Sequence, residues 1–386
     1  MSLLPVVLVG NPDNRRVVDF ARALSRAGHA PPRIVAHASL IEDPSRLLSL
    51  PDEPAWVRID SVGESSEVDR LLWRAGRAEA EQLNVEVVSE RELERDPPAR
   101  GRLLAPRQHY LGLTRYLIAL DAVLRERPRW RVLTPPSSVI ELFDKRRCWE
   151  RHREAGIPVP DALPPTRDVD ALLEALRERG WSAAYVKLTS GSSASGLAVV
   201  RWAHGRPVVM TTMRRTRAGW FNSLRLQRAE GALAREALAY LLREGAHVER
   251  SVPKARFERR FCDLRVLLVE GEPAFVVLRT STHPITNLHL GGRRGDAERF
   301  LAELPGASWT RAMQTCRRAA QLFSCFHLGL DVLFEPDLER HRVLEANAFG
   351  DLLPGTAPDG VDVYGYQADR LGARVLPARI RVLGAT

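Results

Sequence analysis

The sequence predicts an α/β chain in three pieces: a small open parallel sheet, then two pieces in which paired strands are covered by helices. Three observations carry this. From residue 5 to about 140, short apolar runs alternate with segments of helical period. Beyond that the chain turns to strands joined by tight turns. A proline-rich stretch, "TPPSSVIELFDKRRCWERHREAGIPVPDALPPT", separates the two styles. The expected divisions fall at residues 1–135, 136–245 and 246–386, and 386 residues are enough for two or three domains.

In order, "PVVLVG" reads as a buried strand. In "NPDNRRVVDFARALSRAG", Val17, Val18, Phe20, Ala21 and Leu24 recur at helical spacing, with Gly28 placed to end the helix. "RIVAH" is the next strand. This βαβ start puts its ligand edge at the end of the first strand, near Gly10 and Asn11. The proline-rich boundary carries a helix bearing Lys145 that stops at Gly156. A second helix follows, with Val169, Leu172, Leu173 and Leu176 on one side. "AAYVKLTSGSSASGLAVV" reads as a strand with Lys187, a small-residue loop from Ser190 to Gly196, and another strand. "AHVERSV" is a short strand, and "DLRVLLVEGEPAFVVLRTS" a hairpin turning at Glu270-Gly271. "NLHLGGRRGD" is a glycine-rich loop, "RAMQTCRRAAQLFSCFHLG" a helix ending at Gly329, and "LDVLFEPDLERHRVLEAN" a hairpin centred near Leu338.

Composition excludes several classes. Apolar content of 45% and charged content of 27% are ordinary for a globular protein, and there is no run long enough to span a membrane. "MSLLPVVLVG" lacks a basic leader and runs into a turn, so it reads as a strand, not a signal peptide. Cys148, Cys262, Cys316 and Cys325 have no metal-type spacing. Reduced thiols in a cytoplasmic protein are the expectation. The net charge of +9 comes from scattered arginines, with short clusters such as "MRRTR" but no basic tail or aromatic-interleaved stripe, which argues against nucleic acid.

One oddity is more informative. Of 57 basic residues only Lys145, Lys187 and Lys254 are lysine. Lysine is a compact point charge that fits between phosphate oxygens, whereas arginine is a broad planar fork. Lys145 and Lys187 sit where such a charge is useful, Lys187 beside a loop whose small residues let backbone N–H groups wrap phosphate. Lys254 matches no such position and reads as a surface lysine. In the last hairpin, symmetric folding sets Asp331 opposite Glu345, with Asn347 one pleat along the same face. Two carboxylates and an amide form an oxygen-only set that suits Mg²⁺. The same pattern fits two unrelated acids on a solvated hairpin. No GxGxxG or GxxxxGK[ST] occurs.

In this order these motifs resemble the ATP-grasp superfamily over residues 134 to 356, most closely its RimK-like and D-alanine–D-alanine-ligase-like members. The resemblance implies an N-terminal pre-ATP-grasp domain and two α+β subdomains clamping ATP. It implies ATP as cofactor, with Mg²⁺ or in its place Mn²⁺. Lys145 and Lys187 would contact phosphates, helped by the loop residues Gly191, Ser192 and Ser193. Glu249, Arg250, Ser251 and Val252 fall at the adenine hinge, and Asp263 where a carboxylate helps hold the nucleotide. Arg265, Asn287, Gly291 and Gly292 would lie near the transferred phosphate, and Asp331, Glu345 and Asn347 would hold the metal. The RimK-like arginine before the loop asparagine is Ile285 here, with Arg279 as a substitute from the strand.

The implied activity joins a carboxylate to an amine through an acyl phosphate, giving ADP and phosphate, with the Ser190–Gly196 loop as lid. A small molecule, amino acid or peptide is the expected substrate, and homo-oligomerisation stays open. A kinase acting on a hydroxyl, or an ATP-binding regulator without turnover, are the alternatives. His289 reads as either an acid–base or a hydrogen-bonding loop residue. The arginine-rich segment 211–228 reads as an acidic-substrate dock or a solvated face, and "RQHYLG" as a candidate acceptor wall. The tail from Ala348 to Leu353 is longer than the family's and lies where reacting groups would meet.

Overall fold

The computed structural model describes residues 3–94, 99–191, 194–203, 206–350, 353, 357–372 and 380–383. Strands β1 (Val6–Gly10), β2 (Arg33–Ala36), β3 (Ala55–Ile59) and β4 (Trp130–Val132) form a parallel sheet in the order β2-β1-β3-β4. The central strand β1 is buried along its whole length, as a strand covered on both faces must be. Helix Arg15–Arg26 buries Val17, Phe20, Ala23 and Leu24, the stripe its periodicity predicts. The Asn14 side chain accepts from the Arg16 N–H to cap it.

The second sheet is antiparallel: β5 (Ala183–Leu188), β6 (Leu197–Ala203), β7 (Arg206–Thr216), β8 (Gly219–Ala229) and β9 (Ala246–Arg250), in the order β8-β7-β6-β5-β9. Helices Val169–Glu178 and Gly231–Arg243 close one face, where Leu172, Leu176, Leu238 and Leu241 meet Val186 and Val200. Because β9 pairs with β5, this sheet reaches Arg250, so the architectural break lies beyond the expected 245.

The third sheet contains β10 (Arg256–Phe257), β11 (Arg260–Val269), β12 (Glu272–Ser281), β13 (Arg293–Gly295), β14 (His327–Phe334), β15 (His341–Asn347) and β16 (Arg381–Val382). Its main order is β13-β12-β11-β14-β15, with β10 beside β11 and β16 beside β12. The β11–β12 turn has both Glu270 and Gly271 at positive φ, the geometry that matches the twist of a two-residue hairpin. Helix Gly306–Gln321 buries Met313, Cys316, Ala319 and Ala320 against one face.

That helix stops at Gln321, short of the predicted end at Gly329. Residues 327–334 are drawn instead into ladders with β11 and β15, which satisfy their backbone groups on both edges. The single helix expected around Lys145 is two, Pro136–Phe143 and Lys145–Glu154. They divide at Asp144, whose side chain accepts from the N–H groups of Arg146 and Arg147. All four cysteines are free, as expected. Among the described residues no helix is long and apolar enough to cross a membrane.

Candidate active site

Register on the third sheet assembles most of the site. Arg265 on β11 stands directly opposite Asp331 on β14, Asp263 on β11 opposite Arg279 on β12, and Asp331 opposite Glu345 on β15. Since side chains two apart on a strand share a face, "DLR" delivers both Asp263 and Arg265 to the face that carries Asp331. The predicted pairing of Asp331 with Glu345 is present, and Asn347 lies opposite Gly329, further along β15.

Lys145 opens its helix, and its backbone N–H donates to the Thr189 carbonyl, which stitches that helix to the end of β5. Its ammonium donates to Glu345 Oε1 at 2.6 Å and to the Gly191 carbonyl at 2.5 Å. Gly191 must be glycine, because a Cβ there would come within 2.7 Å of the Ser195 carbonyl. Ser192 and Ser193, and with them the middle of the expected lid loop, lie outside the described residues. Lys187 on β5 is paired with Glu249 on β9, and Glu249 is also 3.5 Å from His247 Nε2. Burial opposes the charge on Glu249, but Lys187 and His247 outweigh it and hold the carboxyl at about 2. The Lys187 ammonium, disfavoured by burial, is held charged by Glu249, Glu345 and Asp331.

Within the third sheet, Arg265 donates to both oxygens of Asp331. Arg279 bridges two carboxylates, with Nε 2.8 Å from Asp263 Oδ1 and Nη2 3.1 Å from Asp331 Oδ2. Burial raises the Asp331 pKa, and the two guanidinium charges more than reverse this, leaving it below the usual carboxylate range. Ile285 is buried against Leu197, Val199 and Leu290. Gly292 is backed onto the Thr286 and Asn287 carbonyls, where a Cβ would sit 2.6 and 2.7 Å away. Asn287 Oδ1 accepts from the His289 N–H, so the "NLHLGG" loop is internally braced, and His289 itself is exposed.

Other expected residues are placed differently. Both oxygens of Asp263 are engaged, Oδ1 by Arg279 and Oδ2 by Lys254 and Thr286, so this carboxylate positions its neighbours. Lys254 is not a surface residue: its side chain is 8% exposed, with Nζ 2.7 Å from Asp263 and 3.0 Å from Thr286. Sequence reasoning missed it because no motif flanked it, although its scarcity was a signal. At the hinge, the Arg250 N–H donates to the Asp161 carbonyl and the Ser251 N–H to that of Ala183, while Val252 is half-buried. Arg250 extends outward, 3.6 Å from Asp161.

"RQHYLG" lies in helix Pro106–Arg125 and is used structurally. Gln108 bonds the Val88 N–H and the Trp73 carbonyl, His109 bonds Asp69, and Tyr110 bonds the Ile140 carbonyl. Asn11 holds the Val62 and Gly63 carbonyls. In the long tail, Ala348 and Phe349 are buried, Phe349 against the Phe143 ring, and the Phe349 carbonyl accepts from Arg16. These two residues are packed into the core, and Asp351 and Leu352 lie outside the described residues. Segment 211–228 is the β7–β8 hairpin. A cavity of about 890 Å³ lies beside it, lined by Glu86, Arg102, Arg215, Trp220, Tyr240 and Arg243 and by none of the candidate residues.

Among the described residues no three His, Cys, Asp or Glu side chains cluster as a metal site. The set Asp331, Glu345 and Asn347 still fits a hard cation that completes its shell with phosphate and water. The carboxylates face each other in register, and the buried Asn347 Nδ2 has no partner among the described residues, which leaves the amide able to present its oxygen.

No family profile matches this sequence, and no characterised protein matches it by sequence. Solved structures do. The ATP-grasp ligase PsnB complexed with a minimal precursor aligns over 95% of this chain and 98% of its own, with TM-score 0.54 and 18% identity. The D-cycloserine synthetase DcsG aligns over 95% and 100%, with TM-score 0.52 and 15% identity. The macrocyclase MdnC of Microcystis aeruginosa MRC, bound with precursor peptide MdnA, aligns over 95% and 98%, with TM-score 0.52 and 13% identity. The chain has the ATP-grasp fold.

Proposed function

We propose that this protein is an ATP- and Mg²⁺-dependent ligase that joins a carboxylate to an amine through an acyl phosphate, releasing ADP and phosphate. The observation that carries the reading is the convergence of ion pairs on the facing carboxylates, Asp331 with Arg265 and Arg279 and Glu345 with Lys145. PsnB has also been solved with precursor, Mg and ADP. PsnB and MdnC were each seen with a precursor peptide, which supports a peptide beside an amino acid or small molecule as substrate.

In this reading Lys145 and Lys187 bind the nucleotide phosphates as compact charges. Arg265 and Arg279 are aimed where negative charge grows on the transferring phosphoryl group, and the cleft fixes them before reaction. Asp263, Lys254 and Thr286 hold Arg279 from behind. Asn287, Gly291 and Gly292 shape a close-approach loop beside it. Asp331, Glu345 and Asn347 would hold Mg²⁺, which supplies charge neutralisation on the phosphates. Water must be kept from the acyl phosphate, or it hydrolyses.

The test is phosphate release with ATP, Mg²⁺ and pooled amino acids, peptides and small carboxylic acids. ADP and phosphate formed only when carboxylate and amine are both present is the expected result. A phosphorylated product stable in the mixture would make it a kinase, and nucleotide binding without turnover across the pools would make it a regulator.

A further inference from the structure

The groups that should greet a nucleotide and its metal are already spent on one another. Asp331 accepts from Arg265 and Arg279. Glu345 Oε1 accepts from Lys145, whose ammonium also reaches the Gly191 carbonyl. A divalent cation entering between Asp331 and Glu345 would therefore arrive beside three positive charges. Like charges at such close range in a protein repel strongly, and a divalent ion feels each of them twice over. The carboxylates alone make a poor trap for a free cation.

Triphosphate changes that balance. Its oxygens offer the three cations a richer partner than single carboxylates, and drawing them away leaves Asp331 and Glu345 bare and facing each other. The contact that decides the order is Lys145 to Glu345, because it ties a lysine read as phosphate-binding, at the start of a helix, to a carboxylate read as metal-binding, on β15.

We propose that Lys145 is a counter-ion that keeps Glu345 from taking a divalent cation until nucleotide phosphate draws the ammonium off, so that metal binding waits for nucleotide. This rests on reading Asp331, Glu345 and Asn347 as the metal set. Lys145 then has two tasks at different times: neutralising Glu345 in the free protein, and binding phosphate in the loaded one. Glu345 never stands as an unpaired, half-buried charge in either state. The device also keeps the free protein from holding a metal in a geometry that lacks phosphate.

The test is Mn²⁺ binding followed by the electron paramagnetic resonance signal of the free ion, on the full chain. Wild type should bind Mn²⁺ weakly alone and roughly tenfold or more tightly with AMPPNP, after correction for the complex that Mn²⁺ forms with AMPPNP by itself. Lys145→Met, and separately Lys145→Gln, should bind Mn²⁺ without nucleotide roughly tenfold more tightly than wild type while binding AMPPNP less well. Adding Glu345→Gln should erase that gain. Unchanged or weaker nucleotide-free Mn²⁺ binding in folded Lys145 variants overturns the proposal, as does a gain that survives Glu345→Gln. Calorimetry of AMPPNP binding to wild type without metal reads the ATP assignment separately, so the two can fail independently.

Discussion

Asp331 and Glu345 stand opposite each other on neighbouring strands, yet each is neutralised by its own cations, Asp331 by Arg265 and Arg279 and Glu345 by Lys145. Two like charges in register destabilise a sheet unless something positive accompanies them. The hairpin keeps them at the cost of recruiting three basic residues from three other elements, which is hard to explain as a purely structural arrangement.

Glu345→Gln tests this most directly. The substitution keeps size and one acceptor oxygen but removes the charge. Turnover dependent on Mg²⁺ should fall about 100-fold or more, with circular dichroism and melting temperature close to wild type. Near-wild-type turnover would remove Glu345 from the metal set.

Lys187→Arg should lose most nucleotide affinity although charge is conserved. Glu249 lies directly beneath Lys187 and can bind a guanidinium through two parallel hydrogen bonds, which would hold the arginine down and away from phosphate. Titration of a fluorescent ATP analogue should show affinity weakened roughly tenfold. Unchanged binding would undo the argument from lysine scarcity.

That argument was the strongest thing legible in the sequence, and it was under-used. All three lysines meet a carboxylate in or beside the cleft: Lys145 with Glu345, Lys187 with Glu249, Lys254 with Asp263. The hairpin register of Asp331 and Glu345 could be read from turn position, because strand periodicity leaves little freedom once a turn is placed. Lys254 could not be placed, since its partners Asp263 and Thr286 lie 9 and 32 residues away and only the third sheet brings them together. The packing of Phe349 was hidden for a related reason. "AFGDLLPG" looks like a polar-punctuated loop, but Phe349 finds a ring, Phe143, from a helix more than two hundred residues earlier.

Lys254→Met should cost stability before it costs chemistry. It strips one partner from a carboxylate that is 2% exposed, a loss of about 3 kcal/mol for a buried pair, read as a lowered urea midpoint. Lys254→Met with Asp263→Asn should recover part of that, because a neutral amide needs no counter-ion. Full additivity of the two losses would show that the pair is not coupled.

Acid should destabilise the fold well before the carboxylates protonate. Burial lowers His37 and His152 to about 4 and His327 to about 3. His37 is held neutral in a defined form: Nε2–H donates to the Asp60 carbonyl, so Nδ1 accepts from the Tyr116 hydroxyl. After burial, the Arg58 charge is the largest influence against protonation of His327. Below the ordinary histidine value of about 6.5 the unfolded chain takes up these protons and the folded one does not, so stability falls with pH until the folded values are reached. Each buried histidine should therefore contribute a loss of about 2 kcal/mol by pH 5. The urea midpoint should drop steeply between pH 7 and 5. His327→Leu should flatten that slope by about one proton. A slope unaltered by His327→Leu would mean that this ring is protonated in the folded protein, and that the Arg58 charge beside it does not decide its state.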